Sequence, residues 1–184
     1  MTKYVLGGGE IPGLVDNEFF STLTNINKDP LNVLLVYFAR EPFKWLNLMT
    51  EDVNHFLTNS EKHLEFKIAS FENFIEEITW ADVIFFKGGD GPLLTEKLSQ
   101  FPDLEKKLTN KSIGAMSAGV NALSQSYYSR RGQKVFNGVG VLKAKVFTHY
   151  EEDLELELHD LEIWGEDLEV ITIPEGEHLV IEYD

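Results

Sequence analysis

Ser117 and His149 are the two side chains whose types and settings suit covalent chemistry. Ser117 stands in the run Gly114-Ala115-Met116-Ser117-Ala118-Gly119, close to the pattern G-x-S-x-G with Ala115 in place of the first glycine. Ser112 to Ala115 reads as the end of a buried strand, and Val120 to Leu123 as the first turn of a helix. A serine at such a junction sits on a bend that only small neighbours allow, and its hydroxyl is lifted above the sheet edge. The helix N-terminus behind it favours negative charge, and the Ala118 N–H is a natural donor to an oxyanion.

A serine hydroxyl needs an imidazole to take its proton, and the imidazole needs an acceptor to orient it. The chain has five histidines. His55 and His63 fall on or beside an early helix, His159 lies in an acidic helical stretch, and His178 lies in the final turn. Only His149 follows a strand located after the serine, Lys145 to Thr148, which makes it the candidate base. Its orienting partner is open, because no Asp or Glu lies between Ala118 and Thr148. Glu151, which forms an H-x-E pair with His149, and Glu152 beside it are the nearest carboxylates; Asn121, Gln133 and Asn137 are other acceptors.

A second oxyanion donor is expected from Gly88 or Gly89 in Lys87-Gly88-Gly89-Asp90-Gly91-Pro92, since glycine lets backbone approach a substrate closely. Asp90 could touch substrate, cap the next helix, or do both. Gly8, in the turn Gly7-Gly8-Gly9, could let a ligand approach or serve only to turn the chain.

The elements that must place these residues alternate. Lys3 to Leu6 reads as a strand, and Asn17 to Ile26 as a helix that Asp16 or Asn17 could cap. The apolar run Leu31 to Ala39 suits a strand buried on both faces. A helix opens at Glu41-Pro42 and runs to about Leu57. Leu64 to Ala69 is a shorter strand; Ser70 caps a helix carrying Phe71, Phe74, Ile75 and Ile78. Val83 to Phe86 is a further buried strand, followed by helical Leu93 to Leu98 and Leu104 to Leu108. This alternation predicts an α/β fold, a three-layer αβα sandwich with a mostly parallel sheet. In such sheets ligands bind at the carboxyl ends of strands, so Gly7, Arg40, Gly88-Gly89 and Ser117 should meet at one cleft. Beyond the serine, Gln125 to Lys134 reads as a polar stretch and Glu151 to Trp164 as an amphipathic helix. Two strands around the turn Pro174 to Glu177 look like a closing hairpin.

At 184 residues and 43% hydrophobic content, one domain over 1–184 with a substantial core is expected. No apolar run reaches the roughly 18 residues of a membrane span. The opening MTKYVLGGGEIPG leads straight into a strand and a turn, so no signal peptide is expected and the expected location is cytoplasmic. The absence of cysteine excludes disulfides, thiolate metal sites and a cysteine nucleophile. No metal or other cofactor is expected. A net charge of −15 argues against nucleic acid or an anionic membrane as partner. It also suggests an acidic cleft rim that favours substrates with a free amino group or a basic side chain. A monomer or homodimer is expected.

Five segments carry a resemblance: F-F-x-G-G-D (Phe85 to Asp90), I-G-x-x-S-A-G (Ile113 to Gly119), G-x-G-x-L (Gly138 to Leu142), T-H-Y (Thr148 to Tyr150) and I-P-E-G (Ile173 to Gly176). Together they resemble the peptidase E family, serine dipeptidases and cyanophycinases with a class I glutamine-amidotransferase-like fold. The resemblance implies Ser117 as nucleophile, His149 as base, and Gly88 or Gly89 with Ala118 as oxyanion hole. It also implies a small peptide or amide substrate cleaved through an acyl-enzyme. The chain departs from the family pattern at Lys87, where a third glycine is usual. It also has no acid between the serine and the histidine, and no arginine after Arg131. The missing acid motivates an alternative: a non-catalytic relative that binds a small ligand or a partner protein on the same scaffold.

Overall fold

The computed structural model describes residues 1–11 and 17–183, so the expected cap at Asp16 lies outside the described residues. In chain order the elements are β1 (Thr2–Gly7), α1 (Asn17–Thr24), β2 (Leu31–Val36), a 3-10 turn (Pro42–Lys44), α2 (Trp45–Thr58), β3 (Leu64–Ile68), α3 (Phe74–Trp80), β4 (Val83–Phe86) and α4 (Gly91–Leu98). They continue with α5 (Leu104–Lys107), β5 (Ser112–Met116), α6 (Ala118–Leu123), β6 (Ser126–Ser129), β7 (Lys134–Asn137), β8 (Lys145–Thr148), α7 (Glu155–Glu162), β9 (Val170–Ile173) and β10 (His178–Tyr183).

The larger sheet has the order β10-β1-β5-β4-β2-β3. Its strands pair in parallel except for β10, which runs antiparallel to β1. Strand side chains alternate between faces, and both faces here are covered. Tyr4, Leu6, Leu34, Val36, Ile84, Phe86, Ile113 and Ala115 pack against Phe74 and Ile78 of α3, Leu94 and Leu98 of α4, Leu104 of α5, and Val120 and Leu123 of α6. Val5, Val33, Leu35, Val83 and Phe85 pack against Phe19, Phe20 and Leu23 of α1 and Phe56 of α2. Apolar runs such as Leu31–Val36 are therefore needed on both sides. The result is the expected three-layer α/β architecture, with each fully buried Leu or Phe contributing about 1.5–3 kcal/mol of transfer free energy.

Two expectations are corrected. The strands around Pro174 do not form a hairpin: β9 pairs in parallel with β8, while β10 joins β1 in the other sheet. The turn between them carries the chain from one sheet to the other. The stretch read as polar contains β6, which pairs antiparallel with β7 and parallel with β8 in a second sheet of order β7-β6-β8-β9. Tyr127 and Tyr128 supply its buried aromatic side chains, and the arginines sit at the turn. Among the described residues no helix is long and apolar enough to cross a membrane.

Candidate active site

Ser117 lies between β5 and α6 with φ 50° and ψ −110°. This backbone region disfavours L-residues and costs of order 1–3 kcal/mol, so the surroundings must hold it. Its N–H donates to the Gly7 carbonyl at 2.9 Å. The bend needs the small residue two places on: a Cβ at Gly119 would lie 2.3 Å from the Phe86 carbonyl oxygen. The Ser117 hydroxyl is 2.6 Å from His149 Nε2.

His149 follows directly on β8 and has φ 55°. Its N–H donates to the Gly8 carbonyl at 3.1 Å, and its own carbonyl accepts from Arg130 Nη1 at 3.0 Å. The other ring nitrogen, Nδ1, lies 2.7 Å from Glu175 Oε1. A carboxylate at that place selects the Nδ1–H tautomer and leaves Nε2 as the acceptor facing the serine. Glu175 arrives through sheet register. Thr148 is paired with Ile173, so the residues just past the ends of β8 and β9 emerge side by side.

The three-glycine turn holds these members together. Gly7 O accepts from Ser117 N, Gly8 O from His149 N, and Gly9 O, at 2.9 Å, from the N–H of Gly176 next to Glu175. Its side of the imidazole tolerates no side chain, since a Cβ at Gly9 would lie 2.2 Å from His149 Cε1.

The expected carboxylates are elsewhere. Glu151 pairs with Arg130, whose guanidinium also holds the His149 carbonyl, and this draws Glu151 away from the ring. Glu152 is exposed and, among the described residues, has no hydrogen bond or ion pair to His149. Asn121 Oδ1 accepts from the Thr148 hydroxyl and Asn137 Oδ1 from Trp164 Nε1, so neither serves the imidazole. Gly8 is corrected as well. It is buried, its N–H donates to the Glu177 carbonyl, and a Cβ there would lie 2.0 Å from the Pro174 carbonyl oxygen. Both of its backbone groups are engaged within the protein, so it supports the site without touching a ligand.

Gly88 and Gly89 follow β4 beside the serine; a Cβ at Gly88 would lie 3.2 Å from Ser117 Cβ. The N–H groups on either side are tied to the end of β2 and the corner after it: Lys87 N to Val36 O at 3.2 Å and Asp90 N to Ala39 O at 3.0 Å. Among the described residues the N–H groups of Gly88, Gly89 and Ala118 have no hydrogen-bond partner. Asp90 caps α4 by accepting from Leu93 N at 3.0 Å, and it also lines the cleft. Lys87 turns away from the serine and bonds Glu10 and the fully buried Asp52, which also accepts from the Tyr37 hydroxyl at 2.8 Å. Burial pushes the Asp52 carboxyl up, with Lys87 and Tyr37 pulling it back. Burial works against the Lys87 ammonium, but Asp52 and Glu10 outweigh it and hold its pKa above the usual lysine value.

Two cavities of about 760 Å³ and about 540 Å³ meet at Ser117 and His149, with Gly89, Asp90 and Arg131 common to both. Their walls carry Arg40, Lys44, Lys87, Arg130 and Arg131 against Glu10, Glu41, Asp90, Glu151 and Glu175. The cleft is thus balanced in charge, not acidic as the net charge suggested. Among the described residues no group of three His, Cys, Asp or Glu side chains is placed to hold a metal ion.

Residue-by-residue reasoning placed Arg40 at the cleft but missed Glu175, Arg130 and Arg131. Glu175 had a signal, since it lies in I-P-E-G just past a strand. Arg130 and Arg131 had one in the R-R-G run, which forms the tip between β6 and β7.

No protein-family model and no curated protein matches the sequence. Solved structures do match. A peptidase from an acI-B1 actinobacterium aligns over 98% of this chain and 83% of its own, with a TM-score of 0.71 and 20% identity. A Listeria monocytogenes EGD-e protein with a provisional peptidase E designation aligns over 100% of both chains, with a TM-score of 0.60 and 11% identity. The chain therefore has the fold of these peptidase E-like structures.

Proposed function

We propose that this protein is a serine peptidase that cleaves a small peptide or amide through an acyl-enzyme on Ser117. The observation that carries the reading is the continuous chain Ser117 Oγ, His149 Nε2, His149 Nδ1 and Glu175 Oε1, with contacts of 2.6 and 2.7 Å. In the first half-reaction Ser117 Oγ adds to the substrate carbonyl carbon as its proton passes to His149 Nε2. Glu175 holds the Nδ1–H and stabilises the imidazolium that forms. The oxygen that gains charge is met by the Ala118 N–H and an N–H of the Gly88-Gly89 turn. The imidazolium then gives its proton to the departing amine, leaving an ester on Ser117. In the second half-reaction a water adds to the ester with the same imidazole as base. The imidazolium then returns its proton to Ser117 Oγ as the bond to the acyl carbon breaks, and the acyl group leaves as a carboxylic acid.

The names of the two structural neighbours support the peptidase class. The absence of an acid between serine and histidine, which motivated the non-catalytic alternative, loses its weight because Glu175 occupies the place such an acid would take. The test is hydrolysis of a mixed set of di- and tripeptides followed by mass spectrometry. Time-dependent loss of particular peptides is expected with the wild type and not with Ser117→Ala. Equal loss with both proteins, or none with the folded wild type, would overturn the proposal.

A further inference from the structure

We propose that Arg40 is the positioning residue of the oxyanion hole: it fixes the Gly88–Gly89 peptide so that the Gly89 N–H, alongside that of Ala118, faces the substrate carbonyl oxygen. The inference rests on the reading of Ser117 as nucleophile. A peptide between two glycines is the least constrained kind, because neither residue resists the backbone angles a flip would require. The hydrogen bonds from Lys87 N to Val36 O and from Asp90 N to Ala39 O tie down the ends of the turn. Neither one sets the plane of the peptide between Gly88 and Gly89.

Arg40 sets it. Its Nε donates to the Gly88 carbonyl. In a trans peptide the carbonyl and the next N–H point in opposite directions, so a carbonyl held on Arg40 turns the Gly89 N–H away from Arg40. Arg40 lines only the smaller cavity, whereas Gly89 also lines the larger one together with Ser117 and Ala118. Gly89 thus borders the cavity that Ala118 and Ser117 line, and an N–H turned away from the guanidinium is available to face it. The donor is itself well anchored. Arg40 N–H donates to the Tyr37 carbonyl at 2.8 Å, and the Arg40 carbonyl accepts from Trp45 Nε1 at 3.0 Å. This fixes the corner after β2 from which the side chain reaches out. A guanidinium stays charged throughout and gives a planar, directional donor, which a lysine ammonium does not reproduce. Arg40 contacts neither the serine nor the imidazole; it acts through the peptide.

The test measures the second-order rate at which a biotinylated fluorophosphonate labels Ser117, since its phosphoryl oxygen needs the same donors. The proteins are the wild type, Arg40→Ala, Arg40→Met and Arg40→Lys, each checked for a cooperative thermal transition. We expect labelling to fall about 10- to 100-fold in Arg40→Ala and Arg40→Met, somewhat less than for outright loss of an oxyanion donor, and less again in Arg40→Lys. Free guanidinium ion at non-denaturing concentration should restore part of the Arg40→Ala rate, which a purely structural role would not allow. Arg40→Met keeps the aliphatic stem and serves as the measured variant if Arg40→Ala does not fold. Labelling within twofold of wild type in both variants overturns the inference, as does a fall that guanidinium leaves untouched while Arg40→Lys is as slow as Arg40→Ala. No adduct on wild-type Ser117 overturns the nucleophile reading itself, a result visible before any variant is compared.

Discussion

The serine and its two partners are placed by different means. Ser117 is set by contiguous chain: a buried strand, a residue at φ 50°, then a short helix that packs closely because Gly119 has no side chain. His149 and Glu175 are 26 positions apart and meet because β8 and β9 pair in parallel with Thr148 opposite Ile173. The first arrangement is local and the second depends on tertiary register. A carboxylate two residues from a histidine is close in sequence, yet here an arginine takes it; a carboxylate at the end of the neighbouring strand is close in space. The Gly7-Gly8-Gly9 turn joins both halves, since its successive carbonyls bind Ser117, His149 and the residue after Glu175.

Substitutions separate the two arrangements, with peptide hydrolysis as the readout. The largest effect is expected at the local half. Ser117→Ala should lower kcat by about 10⁴- to 10⁶-fold, the scale seen when a nucleophile is removed from a serine hydrolase. Next comes the register half. Glu175→Gln keeps the shape but cannot favour the productive tautomer, and should cost about 10²- to 10³-fold in kcat, at the low side of buried triads because the carboxylate is partly exposed. A smaller loss, about 10- to 100-fold, is expected for Gly9→Ala, whose Cβ would press on the imidazole and displace it from Ser117. The smallest is expected for Glu151→Gln, within about threefold, because an exposed ion pair with Arg130 contributes little. If Glu151→Gln were the more damaging of the two glutamate variants, sequence proximity and not register would govern the imidazole.

This division also explains what could be read from the sequence. The layers were legible because Leu31–Val36 and Val83–Phe86 are apolar on both faces, which only a covered parallel sheet requires. The serine was legible because the strand, the small residues of the bend and the helix follow one another directly in the chain, although the Gly7 and Phe86 carbonyls that also hold the bend are far away in sequence. The carboxylate was not, because strand register across the intervening α7 leaves no mark in spacing, and the I-P-E-G segment, though part of the resemblance, assigned Glu175 no role. The β6–β7 pair was missed for a related reason. Its burial rests on Tyr127 and Tyr128, flanked by serines, with Arg130 and Arg131 just beyond, so no apolar alternation marks the strand. Lys87 looked like a lost glycine next to the reacting groups. In the fold its side chain turns from the serine to Asp52 and Glu10, and Gly88 and Gly89 keep their place beside the serine. Charge misled in the same way, because an overall balance of −15 says nothing about the five cations gathered around one cleft.

The most direct measurement is peptide mapping by mass spectrometry after the wild-type protein has been treated with a fluorophosphonate. A single covalent adduct on Ser117 is expected, strongly reduced when Glu175 is replaced by glutamine and little changed when Glu151 is. An adduct-free folded protein, or one modified at a different serine, would contradict the role assigned to the Glu175–His149–Ser117 chain.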